Sequence, residues 1–104
     1  MPSFSVRCLF RWPGEASAAL QTYEERITLW KAPDEDVAIA MAEVEAQTYA
    51  TESHVEYLDF CQSYTMSDEV AASGVEVFSL LRDSPLSATQ YIDTYFATGT
   101  ERIR

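Results

Sequence analysis

The sequence predicts an α+β domain in the order ββαββα, a four-stranded, mainly antiparallel sheet with two helices on one face. Three observations predict it. Residues 3–12 alternate with period two, the pattern of a half-buried strand. After Pro33 the apolar spacing changes to that of a helix. Ser87-Ala88-Thr89-Gln90 then matches a capping box ahead of a second helical pattern. With 104 residues the chain is expected to form a single domain, 1–104, around one core.

The first strand, Ser3 to Trp12, puts Phe4, Val6, Cys8, Phe10 and Trp12 on one side and Arg7, Leu9 and Arg11 on the other. A polar link, Pro13 to Thr22, opens on a Pro-Gly turn. The second strand, Tyr23 to Lys31, is rich in β-branched and aromatic residues. Tyr23, Ile27 and Leu29 are its core side, and Glu24, Arg26, Thr28 and Trp30 point the other way. From Pro33 an acidic start, Asp34-Glu35-Asp36, complements the positive end of a helix dipole. The helix runs to about Glu52. Val37, Ala40, Met41, Val44 and Thr48 form its main stripe, and Ile39, Ala42, Ala46 and Ala50 a thinner one behind.

Val55 to Met66 returns to strand character, with Leu58, Phe60, Tyr64 and Met66 on one side and Val55, Tyr57 and Cys61 on the other. A polar connection and Gly74 follow. Val75 to Arg82 carries large apolar groups on both faces, as an inner strand covered on both sides would. The last helix is capped by Ser87, with Leu86 and Tyr91 at staple positions and Gly99 where a C-terminal cap belongs. Tyr91, Ile92, Tyr95 and Phe96 make its apolar face.

Charge is the most lopsided feature. Between Lys31 and Arg82 there is no Lys or Arg, whereas eleven acids fall there, so the middle of the chain supplies essentially all of the net charge of −10. Such a field disfavours nucleic acid and anionic membrane and draws basic partners. No apolar run reaches the roughly 20 residues of a membrane span. The N-terminus carries Arg7 where a signal peptide would be apolar, which points to the cytoplasm. Cys8 and Cys61 are therefore expected to stay reduced thiols. A single histidine, His54, cannot build a structural zinc site, and three glycines at turns leave none for a phosphate loop. No cofactor and no metal are expected.

Two stretches, Tyr23-Glu24-Glu25-Arg26-Ile27-Thr28-Leu29-Trp30 and Glu76-Val77-Phe78-Ser79-Leu80-Leu81-Arg82, the latter followed by Leu86-Ser87 and Tyr91, carry a resemblance. With the Ala/Glu-rich helix between them and the closing Thr98-Gly99-Thr100-Glu101-Arg102, the chain resembles a family of small bacterial proteins, domain-of-unknown-function family 4288. The resemblance spans roughly Phe4 to Arg102. It implies a bacterial single-domain protein and brings no activity and no functional residue.

The residues offer a few candidate sites. Glu24 and Glu25 beside Arg26 would suit acid–base chemistry, but neighbours on a strand point to opposite faces and cannot act on one atom. The simpler reading of this polar cluster is cross-strand pairing of Glu24 or Arg26 with Arg7 or Arg11. A buried Glu25 would need a partner of its own. Cys8, amid Phe4, Val6 and Phe10, reads as an inert buried thiol, and His54 as a solvated helix end. Trp30, with Arg26 on its own strand and Leu9 on the corresponding side of the first, has the composition of an interface on an open sheet face.

No catalytic residue is expected. The leading reading is a non-enzymatic interaction module acting as a homodimer. An alternative is an acidic immunity or antitoxin-like protein that neutralises a basic toxin. A third is a small-molecule binder or enzyme with a pocket between sheet and helices.

Overall fold

The computed structural model describes residues 1–14, 20–68 and 73–96, and the backbone of 102–103. The order is β1 (Ser3–Trp12), β2 (Gln21–Lys31), α1 (Glu35–Ser53), β3 (Glu56–Thr65), β4 (Val75–Ser84), α2 (Ala88–Tyr95) and a short β5 (Arg102–Ile103). This is the expected α+β arrangement, with β5 added as a two-residue fifth strand. The sheet order is β4-β2-β1-β3-β5, and every described pairing is antiparallel.

The two helices do not share a face. α1 covers Phe4, Val6, Cys8, Phe10, Trp30, Tyr57 and Cys61, while α2 covers Leu9, Tyr23 and Phe60 with Tyr91 and Phe96. Leu9 alternates with Cys8 and Phe10 along β1, so the second cluster lies on the opposite side of the sheet. The expectation of both helices on one face is corrected here. β1 has Phe4, Val6, Cys8, Phe10 and Trp12 on one side and Leu9 between Arg7 and Arg11 on the other, and each side is covered by its own helix.

Register decides which β2 residues meet which face. Phe4 opposes Trp30, Cys8 opposes Arg26 and Phe10 opposes Glu24, whereas Leu9 opposes Glu25 and Arg11 opposes Tyr23. The apolar side of β1 therefore continues into the Glu24, Arg26, Thr28, Trp30 side of β2. Read from β2 alone that side looked open. In the fold it is the floor beneath α1.

α1 also turns its other stripe inward. Ala38, Ile39, Ala42, Ala46 and Ala50 are buried, and Val44 is 71% exposed. Small side chains let the helix sit close over a floor of Phe, Trp and Tyr, where the expected Val37–Val44 stripe would hold it off. Asp34 accepts from the Val37 N–H at the N-terminus, and His54 closes the helix at φ 58°, its N–H donating to the Ala50 carbonyl. α2 begins with the expected capping box: Ser87 Oγ accepts from the Gln90 N–H, and Gln90 Oε1 accepts from the Ser87 N–H. Such a cap is worth about 1 kcal/mol. α2 ends at Phe96, and the cap assigned to Gly99 lies outside the described residues.

β3 bulges opposite Leu9: β1 advances from Cys8 to Phe10 while β3 passes from Cys61 to Tyr57, with Asp59 at φ 55°. The extra residues number two, so Tyr57 and Cys61 stay on the α1 side and Phe60 on the α2 side.

Candidate functional site: the outer strand β4

β4 is an edge strand, not the inner one its sequence suggested. It pairs with β2 from Gln21–Ser84 to Leu29–Val75, and no strand among the described residues lies beyond it. Val75, Val77, Phe78 and Leu81 are 45–55% exposed. The apolar groups on both faces are real; what is missing is cover. α1 lies over β3, β1 and β2, and α2 is only eight residues long.

Polar side chains tie β4 to β2. On the α1 face, Arg26 donates from Nε to Glu76 at 2.5 Å and from Nη1 and Nη2 to Glu45 at 2.5 and 3.0 Å. Its guanidinium lies 3.9 Å from the Tyr49 ring centre. Glu24 accepts from Trp12 Nε1 at 3.1 Å, from the Tyr49 hydroxyl at 2.8 and 2.9 Å, and from Ser79. Burial, and then its hydrogen bond to Glu24, push the Tyr49 hydroxyl up to about 12, so it remains a donor at neutral pH.

On the α2 face, Glu25 accepts from Arg7 and Arg82, each at 3.2 Å, and from the Tyr91 hydroxyl at 2.5 Å. Arg82 stacks on Tyr95 at 3.9 Å and Arg7 on Phe96 at 4.0 Å. Burial and Glu25 both raise the Tyr91 hydroxyl above its ordinary range. The buried Glu25 thus has the partners that it needed.

Glu24 and Glu25 face opposite sides, as alternation requires, and each is buried and saturated by donors. That geometry holds strands together and offers no carboxylate to a substrate. The cross-strand pairing itself differs from the sequence reading. Arg7 pairs with Glu25, while Arg11 donates to Glu56 at 2.8 Å and to Gln21 at 3.0 Å. Neither meets Glu24 or Arg26, because the register puts those two on the other face.

Of the interface residues chosen from sequence, Leu9, Arg26 and Trp30 are all buried. Trp30 packs under α1 with Phe4, its Nε1 donating to Thr28 at 2.6 Å. Leu9 packs under α2. They lie on opposite faces and form no common patch. Val77, Phe78 and Leu81, on the Val75–Arg82 strand, are exposed instead. The two-faced apolar run is the signal for them: it fits an inner strand, and equally a strand that a second chain covers.

Cys8 and Cys61 are both buried and face each other directly across β1 and β3. The Cys61 contact and burial push the Cys8 thiol far up, which makes it unreactive. A cavity of about 340 Å³ opens at the far end of the sheet between Arg11, Trp12, Gln21, His54 and Glu56. Arg11 there is already engaged by Glu56 and Gln21. This cavity is not between sheet and helices, where the binder reading would place one.

No helix among the described residues is long and apolar enough to cross a membrane. Compared with protein-family models, with curated proteins and with solved structures, the chain matches none.

Proposed function

We propose that this is a non-enzymatic interaction module that works as a homodimer, with β4 as its docking strand. A single observation carries the reading: an edge strand of ten residues bears four large, half-exposed apolar side chains. Bare apolar edges are templates for pairing, and proteins either blunt them or cover them. The charges on this edge are mostly spent within the chain, Glu76 on Arg26 and Arg82 on Glu25. A local surface of that kind favours an apolar partner strand, which a second copy provides. The resemblance to domain-of-unknown-function family 4288 is kept as a proposal that adds no activity, and a reducing cytoplasm fits the paired buried thiols.

Neutralisation of a basic protein is the second reading, favoured by the run of acids without a single Lys or Arg from residue 32 to 81. Salt separates the two. Self-association of chains with net charge −10 must overcome mutual repulsion and should tighten as salt rises, whereas capture of a basic partner should weaken. Light scattering at micromolar concentration should give twice the 11.7 kDa chain mass, and Phe78→Glu should return a folded monomer. A wild-type mass of one chain at every salt concentration would sink the homodimer.

A further inference from the structure

We infer that two copies join β4 to β4, antiparallel, with Ser79 on the two-fold axis. The inference rests on the interaction reading above and adds a register to it. A two-fold axis normal to a continuous sheet keeps each face on its own side, so every residue meets one of the same face. The axis must then pass through a residue. Phe78 and Leu80 oppose Ile27 and Glu25 and belong to the α2 face, while Ser79 and Leu81 oppose Arg26 and Glu24 and belong to the α1 face.

Four positions compete. An axis at Leu80 sets Val77 against Asp83 and Phe78 against Arg82. At Leu81 it sets Leu80 against Arg82, and at Phe78 it sets Glu76 against Leu80. At Ser79 alone every apolar residue from 77 to 81 meets an apolar one: Phe78 meets Leu80 and Val77 meets Leu81, each twice, and only Val75, at the strand's end, falls opposite Asp83. The stretch Glu76-Val77-Phe78-Ser79-Leu80-Leu81-Arg82 is symmetric in polarity about Ser79 and opposite in charge at its ends. This is what an isologous edge requires.

The bulge at Val77, between the Phe78–Ile27 and Glu76–Thr28 pairs, turns Glu76 toward Arg26 on the α1 face. Arg82 stays with Glu25 on the α2 face. In the pair, the bulge therefore ends the same-face register: Glu76 of one copy and Arg82 of the other bound the apolar stretch from opposite faces, each held by its own chain.

Residues directly opposed across antiparallel strands have Cβ atoms about 4.5–5.5 Å apart, close enough for a disulfide to form with slight adjustment. Ser79→Cys under mild oxidation should therefore convert the protein from a single chain of 11.7 kDa to a covalent dimer on a non-reducing gel. Leu81→Cys should not, because its two copies sit several residues apart along the strand. Cys8 and Cys61, being buried, give the wild type as a clean blank. Ser79 hydrogen-bonds Glu24, so a second experiment avoids it: Phe78→Cys mixed with Leu80→Cys should cross-link as a mixed pair and neither variant with itself. Cross-linking of Leu81→Cys but not Ser79→Cys, with a wild-type dimer in light scattering, would overturn the register and leave the dimer standing. A monomeric wild type would remove both.

Discussion

β3 and β4 are both ten-residue strands, both rich in apolar side chains, and each flanks the central pair β1 and β2. β3 has Tyr57, Phe60, Cys61, Gln62 and Ser63 buried, with β5 paired beyond it at Gln62 and Ser63. In β4 the only buried residue is Ser84, at its end. Composition does not separate the two. The difference is the cover: α1 leans over β3, and Phe96 at the end of α2 seats its ring 5.0 Å from that of Phe60. β3 is held by apolar packing on both faces. β4 is held by its ladder and by Arg26–Glu76, Glu24–Ser79 and Glu25–Arg82.

That contrast can be broken most directly with one substitution made twice. Phe60→Ala should cost about 3–5 kcal/mol, the usual penalty for deleting a buried aromatic ring. Phe78→Ala, in dilution where only monomer is present, should cost under about 1 kcal/mol, because its ring is half in solvent. Chemical denaturation of both variants reads the difference. Equal losses would mean that β4 is covered within its own chain.

The polar half of the contrast is tested at Glu25. Glu25→Ala leaves Arg7, Arg82 and the Tyr91 hydroxyl without their shared acceptor, and removing one partner of a buried ion pair costs about 3 kcal/mol. It should also loosen β4 and the end of α2 more than β3, visible as chemical-shift changes concentrated at Arg82, Tyr91 and Tyr95. A loss spread evenly over the sheet would contradict the role given to this cluster.

Local features were legible in the sequence and non-local ones were not. The four long strands, the start of α1 at Asp34 and the Ser87 capping box follow from periodicity and from side-chain hydrogen bonds within a few residues. The face of α1 did not follow, because volume overrode hydropathy: Ala42, Ala46 and Ala50 were preferred to Val37 and Val44 so that the helix could come close. Periodicity within a single strand does not fix its register, so it does not show that Trp30 and Leu9 lie on opposite faces; the Phe4–Trp30 pairing that decides it joins residues distant in sequence. The two apolar faces of the Val75–Arg82 run are plain in the sequence, but an inner strand and a sticky edge share that pattern. The bulge at Asp59 had little to announce it, since Asp is one of the few side chains that tolerate a left-handed backbone.

The central claim is that β4 is the edge on which this protein pairs, and amide hydrogen exchange measured against protein concentration tests it most directly. Backbone N–H groups of residues 76–82 that point away from β2 should exchange quickly in dilute solution and become protected as concentration rises through the dimer range. Amides of β1 and β3 should stay slow throughout. Protection of residues 76–82 that does not change with concentration would contradict the claim, and protection rising elsewhere instead would put the interface on another surface.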